Sequence, residues 1–317
     1  MNNITKSSKI LVTGARGGLG VAITRSLFNR GYKKLLTPSR KELNLLDQNK
    51  TSAYFKKEKP NAVIHLASIV FGLQGNIDNQ MHSALGNTLI NSNLFYAINL
   101  NSSSIQYIFF AGTVASYPYP YNSLPLKEGD FFNGLPHQGE FGYAMAKKHA
   151  YTYLKILSET KFINYTYGIF TNLYGENDRF DQVSGHVIPS LIVKAFNAKQ
   201  EHQPLDVWGD GSAIRDFLHF EDASEASIKC MLSASPPRLV NISSNAPVKI
   251  KYIATIIAKE AKIKEIKFLN DKPTGIPVRM IDNNIITSIG FKPKVDLSTG
   301  LKNLYHWYSK ENLRCRK

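Results

Sequence analysis

Tyr143 and Lys147 stand four residues apart in Tyr143-Ala-Met-Ala-Lys147, a stretch patterned as the start of a helix. On a helix those two positions share one face. An ammonium beside a phenol favours the phenolate, so the ordinary tyrosine pKa of about 10 is drawn toward neutrality. Tyr143 is thereby a candidate proton donor or acceptor at a carbonyl or alcohol carbon. The same spacing also fits a solvated helix face, and the surrounding elements have to decide between the two.

A proton donor of this kind needs a cofactor and a place for substrate. Lys9 to Thr13 is a short β-branched run, followed by Gly14-Ala-Arg-Gly-Gly-Leu-Gly20 and an amphipathic stretch from Val21 to Asn29. In a strand, glycine turn and helix, Gly14, Gly17 and Gly20 let the backbone turn tightly, approach a pyrophosphate and aim the positive helix end at it. A tight turn without a ligand is the plainer alternative. The second strand, Lys34 to Thr37, leads into Pro38-Ser39-Arg40, with no carboxylate for the ribose 2′-hydroxyl of NAD. Arg40, with Arg16 inside the glycine turn, is therefore expected to clamp a 2′-phosphate, which predicts NADP(H) over NAD(H). Asp47 has two readings, the adenine side of the cofactor or the N-cap of a helix around Thr51 to Lys57.

Further strands are expected at Ala62 to Ala67, Ile105 to Phe110 and Phe162 to Gly168, with a helical region from Asn76 to Asn101. This β-α alternation predicts an α/β fold with a doubly wound, Rossmann-type parallel sheet. Ligands in such sheets sit beyond the carboxyl ends of the strands, which places the Thr113 hydroxyl where a substrate oxygen would lie. After residue 170 the regularity breaks, and a smaller, discontinuous C-terminal lobe is expected. The reading assigns 1–170 and 206–243 to the nucleotide-binding part and 171–205 and 244–317 to the substrate lobe.

Composition narrows the classes. Of 317 residues, 43% are hydrophobic and 20% charged, as in ordinary globular enzymes. No apolar run approaches the roughly 18 residues of a membrane span, and the polar N-terminus lacks the apolar core of a signal peptide; no membrane association and a cytoplasmic location are expected. The net charge is +15, but the lysines are scattered, which argues against nucleic acid and for solvated lysines plus a pocket for an anionic ligand. Neither of the two cysteines, Cys230 and Cys315, has metal-ligand spacing, so no metal site is expected.

Together, Gly14 to Gly20, Arg40 to Asp47, Gly112 to Pro118, Tyr143 to Lys147, Thr171 to Gly175, His186 to Pro189 and Val207 to Phe217 resemble, in order and spacing, the GDP-L-fucose synthase family of extended short-chain dehydrogenase/reductases. Those enzymes are 3,5-epimerase/4-reductases of GDP-4-keto-6-deoxymannose. The resemblance implies hydride delivery from NADPH to C4 of the sugar, with Tyr143 as proton donor. Thr113, a serine in the family, would hydrogen-bond the developing alkoxide. Lys147 would hold the nicotinamide ribose and depress the tyrosine pKa. It also implies nucleotide or pyrophosphate contacts from Lys194, Trp208, Arg215 and Lys272, and a homodimer through helices near 76–101 and 142–158.

Two positions depart from the family. The epimerase half of its chemistry uses a cysteine base and a histidine acid; the cysteine position is Ala115 here, while His186 remains to bind substrate or cap its helix. A methyl group cannot abstract a proton, and Ser116 replaces the lost base only if the turn shifts by one residue. Phe170 stands where the family has proline. The expectation is a C4 reductase of a GDP-4-keto-6-deoxy hexose or heptose without 3,5-epimerase activity, serving surface polysaccharide. The alternatives are the bifunctional epimerase/reductase and a nucleotide-sugar 4-epimerase.

Overall fold

The computed structural model describes residues 4–182, 185–272 and 275–315. β1 (Ile10–Thr13) passes through the glycine turn into α1 (Gly18–Asn29), and β2 (Leu35–Leu36), α2 (Gln48–Glu58) and β3 (Ala62–His65) follow. Next come α3 (Leu73–Asp78), α4 (Gln80–Leu100), β4 (Tyr107–Thr113), α5 (Phe141–Lys161) and β5 (Asn164–Phe170). The C-terminal half contains β6 (Asn172–Tyr174), α6 (Val187–Glu201), β7 (Leu205–Trp208), β8 (Ile214–Arg215), β9 (Phe217–His219), α7 (Phe220–Leu232) and β10 (Leu239–Ile242). The chain ends in β11 (Val248–Lys249), α8 (Ile250–Ala261), β12 (Ile266–Leu269), β13 (Val278–Arg279), α9 (Asn284–Ser288) and α10 (Leu297–Glu311).

Six parallel strands form the main sheet in the order β10-β5-β4-β3-β1-β2. This is the doubly wound α/β sheet read from the sequence. Successive side chains of a strand face opposite sides, and both sides are apolar. Leu11, Val63, Ile108 and Phe110 pack with Leu94, Phe95 and Leu154 of α4 and α5. Ile10, Val12, Ile64 and Phe109 pack with Ile23, Leu27, Ala226 and Ile228 of α1 and α7. Burial on both faces is why these strands read as continuous apolar runs. The chain leaves β1 toward β2 on one side and returns to β3 on the other, which opens a crevice beyond the carboxyl ends of β1 and β3.

A third core joins α6, α8 and α10 through Ile188, Ile192, Ile253, Ile257, Leu301 and Leu304, with Leu205 and Val207 of β7. The strands between 205 and 219 pair outside the main sheet, although the sequence reading groups 206–243 with it. β7 lies parallel to β12, β8 sits between β11 and β13, and β9 pairs with β6. Strand-forming residues announce a strand but not its partner, so only the pairing reveals this placement. Among the described residues no helix is long and apolar enough to cross a membrane.

Candidate active site

A cavity of ≈ 890 Å³ runs from the glycine turn, past the end of β4, to Trp208 and Arg215. At one end, Gly14 has φ +71°, and a Cβ there would stand 2.8 Å from the Ala67 amide nitrogen. A Cβ on Gly20 would stand 2.3 Å from the Gly14 carbonyl oxygen. The glycines let α1 start close against the turn, and Gly17 is its N-cap, with no side-chain cap and no acid in the first turn. That leaves the positive helix end for an anion. Gly14, Arg16, Gly17, Gly20 and Arg40 all line this end, and a dinucleotide diphosphate with a further phosphate matches that set of donors.

Asp47 does not line the cavity. Its carboxylate caps α2, accepting from the Lys50 amide at 2.9 Å, which is the N-cap reading. Lys272 is likewise not among the lining residues; its ammonium stands 3.5 Å from the Asp271 carboxylate.

Beneath the glycine turn a buried polar chain links β1 to α5. Thr13 Oγ1 accepts from the Leu66 and Ala67 amides and shares a 2.7 Å bond with His65 Nδ1. With its acceptor capacity so used, the threonine gives its own proton to Nδ1, which puts the ring proton on Nε2. Nε2 stands 3.3 Å from Asn91 Oδ1, and Asn91 Nδ2 donates to the Ala146 carbonyl. Burial, with the nearby Lys147, lowers the imidazole to about 3, so His65 is neutral.

At the middle of the cavity stand Thr113, Tyr143 and Lys147. Lys147 Nζ donates to the Ala111 carbonyl at 3.0 Å and lies 6.0 Å from the Tyr143 ring centroid. Burial lowers its ammonium to about 7. The Tyr143 phenol is raised above its ordinary value, by burial first and by the Glu140 carboxylate second, with the Ser68 and Thr113 hydroxyls pulling the other way. This runs opposite to the expected depression of the tyrosine by Lys147: burial and the Glu140 carboxylate dominate, and Lys147 is not among the groups that lower the phenol. Thr113 Oγ1 accepts from the Ala115 amide at 3.2 Å, so its own proton can point elsewhere.

Ala115 lines the cavity, whereas Ser116 is buried and donates to the Ala144 carbonyl at 2.9 Å. The turn is not shifted, and Ser116 does not take the place of a base. His186 precedes α6 at the N-cap position without a side-chain cap bond, so its imidazole is left to the cavity, which it lines. Phe170, at the end of β5, packs against Phe109 and lines the wall.

At the far end, Lys194 lies over the Trp208 ring at 4.6 Å, and burial lowers its ammonium. Arg215 and Arg279 are register partners on β8 and β13. Burial and then the neighbouring Arg279 lower the Arg215 guanidinium to about 10. Four further residues of the site, Ser68, His65, Glu140 and Arg279, belong to no motif; only Glu140, one helical turn before Tyr143, had a spacing that could have marked it. Among the described residues there is no cluster of three or more His, Cys, Asp or Glu fit to hold a metal.

Residues 10–243 match the family model "NAD dependent epimerase/dehydratase family". The chain is 31% identical to a putative GDP-L-fucose synthase 2 of Arabidopsis thaliana, over 96% of this chain and 93% of that one. It superposes on a GDP-6-OMe-4-keto-L-xylo-heptose reductase from C. jejuni with a TM-score of 0.89 at 25% identity, covering 98% and 99% of the two chains. A GDP-mannoheptose C4 reductase from Campylobacter jejuni with NADP bound gives a TM-score of 0.84 at 25% identity, covering 96% and 99%. With a matching family model over most of its length and relatives aligned nearly end to end, the chain belongs to the NAD dependent epimerase/dehydratase family, as an extended short-chain dehydrogenase/reductase resembling GDP-L-fucose synthase.

Proposed function

We propose that the protein is an NADPH-dependent reductase acting at C4 of a GDP-4-keto-6-deoxy sugar, hexose or heptose, without 3,5-epimerase activity. The observation that carries this reading is the composition of one cavity, where Thr113, Tyr143 and Lys147 stand beside the glycine turn and Ala115 lines the wall; by the family resemblance, its methyl group replaces the cysteine base. NADP(H) is supported by Arg16 and Arg40 at the nucleotide end and by the NADP-bound C4 reductase of the same fold. When bound, NADPH supplies the hydride. Tyr143, held protonated by burial and Glu140, gives its proton to the C4 oxygen, and the Thr113 hydroxyl donates a hydrogen bond to that oxygen. Lys147, anchored on the Ala111 carbonyl, holds the nicotinamide ribose. Lys194, Trp208 and Arg215 bind the GDP moiety, with His186 at the sugar.

The nucleotide takes the side of the main sheet and the sugar the side of the smaller lobe. A homodimer through α4 and α5 agrees with Met81, Leu85, Leu89, Tyr96 and Leu100, which stay exposed along α4. The bifunctional reading has one observation in its favour: His137 and His186 both keep imidazoles in the cavity.

The test is NADPH oxidation against a panel of 4-keto GDP-sugars, hexose and heptose, epimerised and not, with product stereochemistry read by NMR. Turnover of at least one member is expected, falling about 10²- to 10⁴-fold in Tyr143→Phe with NADPH binding retained. No oxidation across the panel, or an unimpaired Tyr143→Phe enzyme, would refute the reading.

A further inference from the structure

Glu140 occupies the N-cap position of α5, yet its side chain does not cap the helix. A carboxylate there would ordinarily serve the helix's free N–H groups. Instead it crosses the cavity to Arg279, whose Nη2 donates to Oε2 at 2.5 Å and whose Nη1 lies 3.4 Å from Oε1. The two side chains are only 15% and 8% exposed, and both line the cavity. This forked contact joins β13, next to Arg215, to the residue one turn before Tyr143.

The surroundings show what each partner is free to do. Arg215 and Arg279 lie side by side on β8 and β13, and it is Arg279 that bonds the Glu140 carboxylate. Arg215 finds carbonyl acceptors, Ile214 at 2.8 Å and Pro277 at 3.4 Å, and feels the Glu140 charge without bonding it, which leaves its guanidinium available to an anion. Arg279 is held by Glu140, with the Tyr121 hydroxyl 3.4 Å from its Nε. Burial is the largest single influence and raises the Glu140 carboxyl, but the Arg279 charge and hydrogen bonds, joined by the Arg215 and His137 charges, together outweigh it, so the group is lowered and ionised. The start of α5 is pinned from the other side by Gln80, whose Oε1 accepts from the Gly142 amide and whose Nε2 donates to the Gln138 carbonyl.

We propose that Glu140 and Arg279 are a positioning pair that sets the first turn of α5, and with it the Tyr143 hydroxyl, against the strand carrying Arg215, so that the anion-binding end and the proton donor keep one register. The inference rests on the reading of Tyr143 as the proton donor. Neither residue delivers a proton or touches the hydride; each acts through Tyr143. The forked geometry makes the arginine specific, since a lysine at 279 keeps the charge and loses the fork.

A double-mutant cycle with Glu140→Gln and Arg279→Met tests the pair, each variant being normalised to its NADPH-binding fraction. Either single change is expected to lower kcat about tenfold or more with the KM for NADPH within about twofold, and the double variant to lose no more than the worse single, as residues of one network do. Arg279→Lys, the gentler variant, is expected to fall between wild type and Arg279→Met. Singles with kcat within twofold of wild type, while Tyr143→Phe is inactive, overturn the inference and leave the functional reading intact; losses that multiply in the double also overturn it. Should the wild type turn over no 4-keto sugar, the functional reading falls first, and amide exchange decides the pair: faster exchange at residues 142–147 in both singles supports it, and unchanged exchange overturns it.

Discussion

The two ends of the cavity are built from different materials. The nucleotide end is made by contiguous backbone, the turn from Gly14 to Gly20 with Arg16 inside it and Arg40 nearby. The far end, proposed to hold the GDP-sugar, is made by side chains brought from distant segments, such as Glu140 and Arg279 or Lys194 and Trp208. A backbone site tolerates almost no change at Gly14 and Gly20, because a Cβ at either strikes main chain. A side-chain site tolerates substitution structurally and registers it in rate or affinity.

Gly20→Val tests the first half of that contrast hardest. With the Gly14 carbonyl 2.3 Å from the position of a Cβ, α1 must move. NADPH binding is expected to fall at least about 100-fold and stability by several kcal/mol. Retained binding measured by nucleotide fluorescence would break the contrast.

Lys147→Met separates function from stability in the middle of the cavity. The folded lysine titrates near 7 against an ordinary value of 10.5, so between those values the unfolded chain holds the proton and the folded one does not. Wild-type stability therefore carries a contribution that rises with pH across that window, and below pH 7 the burial penalty is present in full. The methionine variant is expected to lose turnover, to lack that rise, and to be more stable than wild type at pH 6 by about 1–3 kcal/mol. Chemical denaturation at pH 6 and 9 measures both, and an identical pH dependence in the two proteins would contradict it.

Arg40→Ala is expected to raise the KM for NADPH about tenfold and leave that for NADH unchanged, the cost of one charge-assisted phosphate contact. Equal effects on the two cofactors would remove Arg40 from the nucleotide end. Asp47→Ala gives the smallest change, a loss of about 1 kcal/mol in stability from the α2 cap with NADPH kinetics unaltered. A shifted KM would return Asp47 to the site.

These unequal materials explain how much was legible beforehand. The glycine turn, Arg40, Thr113 and the Tyr143/Lys147 spacing all lie within short windows, and periodicity placed the strands that present them. The far end depends on pairings between β7 and β12 and between β8 and β13, which no local pattern encodes. Glu140 and Arg279 meet across 139 positions. Asp47 was ambiguous because an acid before a helix serves a ribose or a cap equally well. For Lys147 the chemistry was visible, but the dominance of desolvation was not, since burial depends on the whole fold.

Reduction at C4 without proton exchange at C3 and C5 is what distinguishes the proposed enzyme from a bifunctional epimerase/reductase. It is tested most directly by incubating the protein with NADPH and GDP-4-keto-6-deoxymannose, or its heptose counterpart, in D₂O and following the sugar by NMR. The predicted result is NADPH oxidation and a C4 alcohol with no deuterium at C3 or C5; prompt deuterium entry at either carbon, or no oxidation with any 4-keto GDP-sugar, would contradict it.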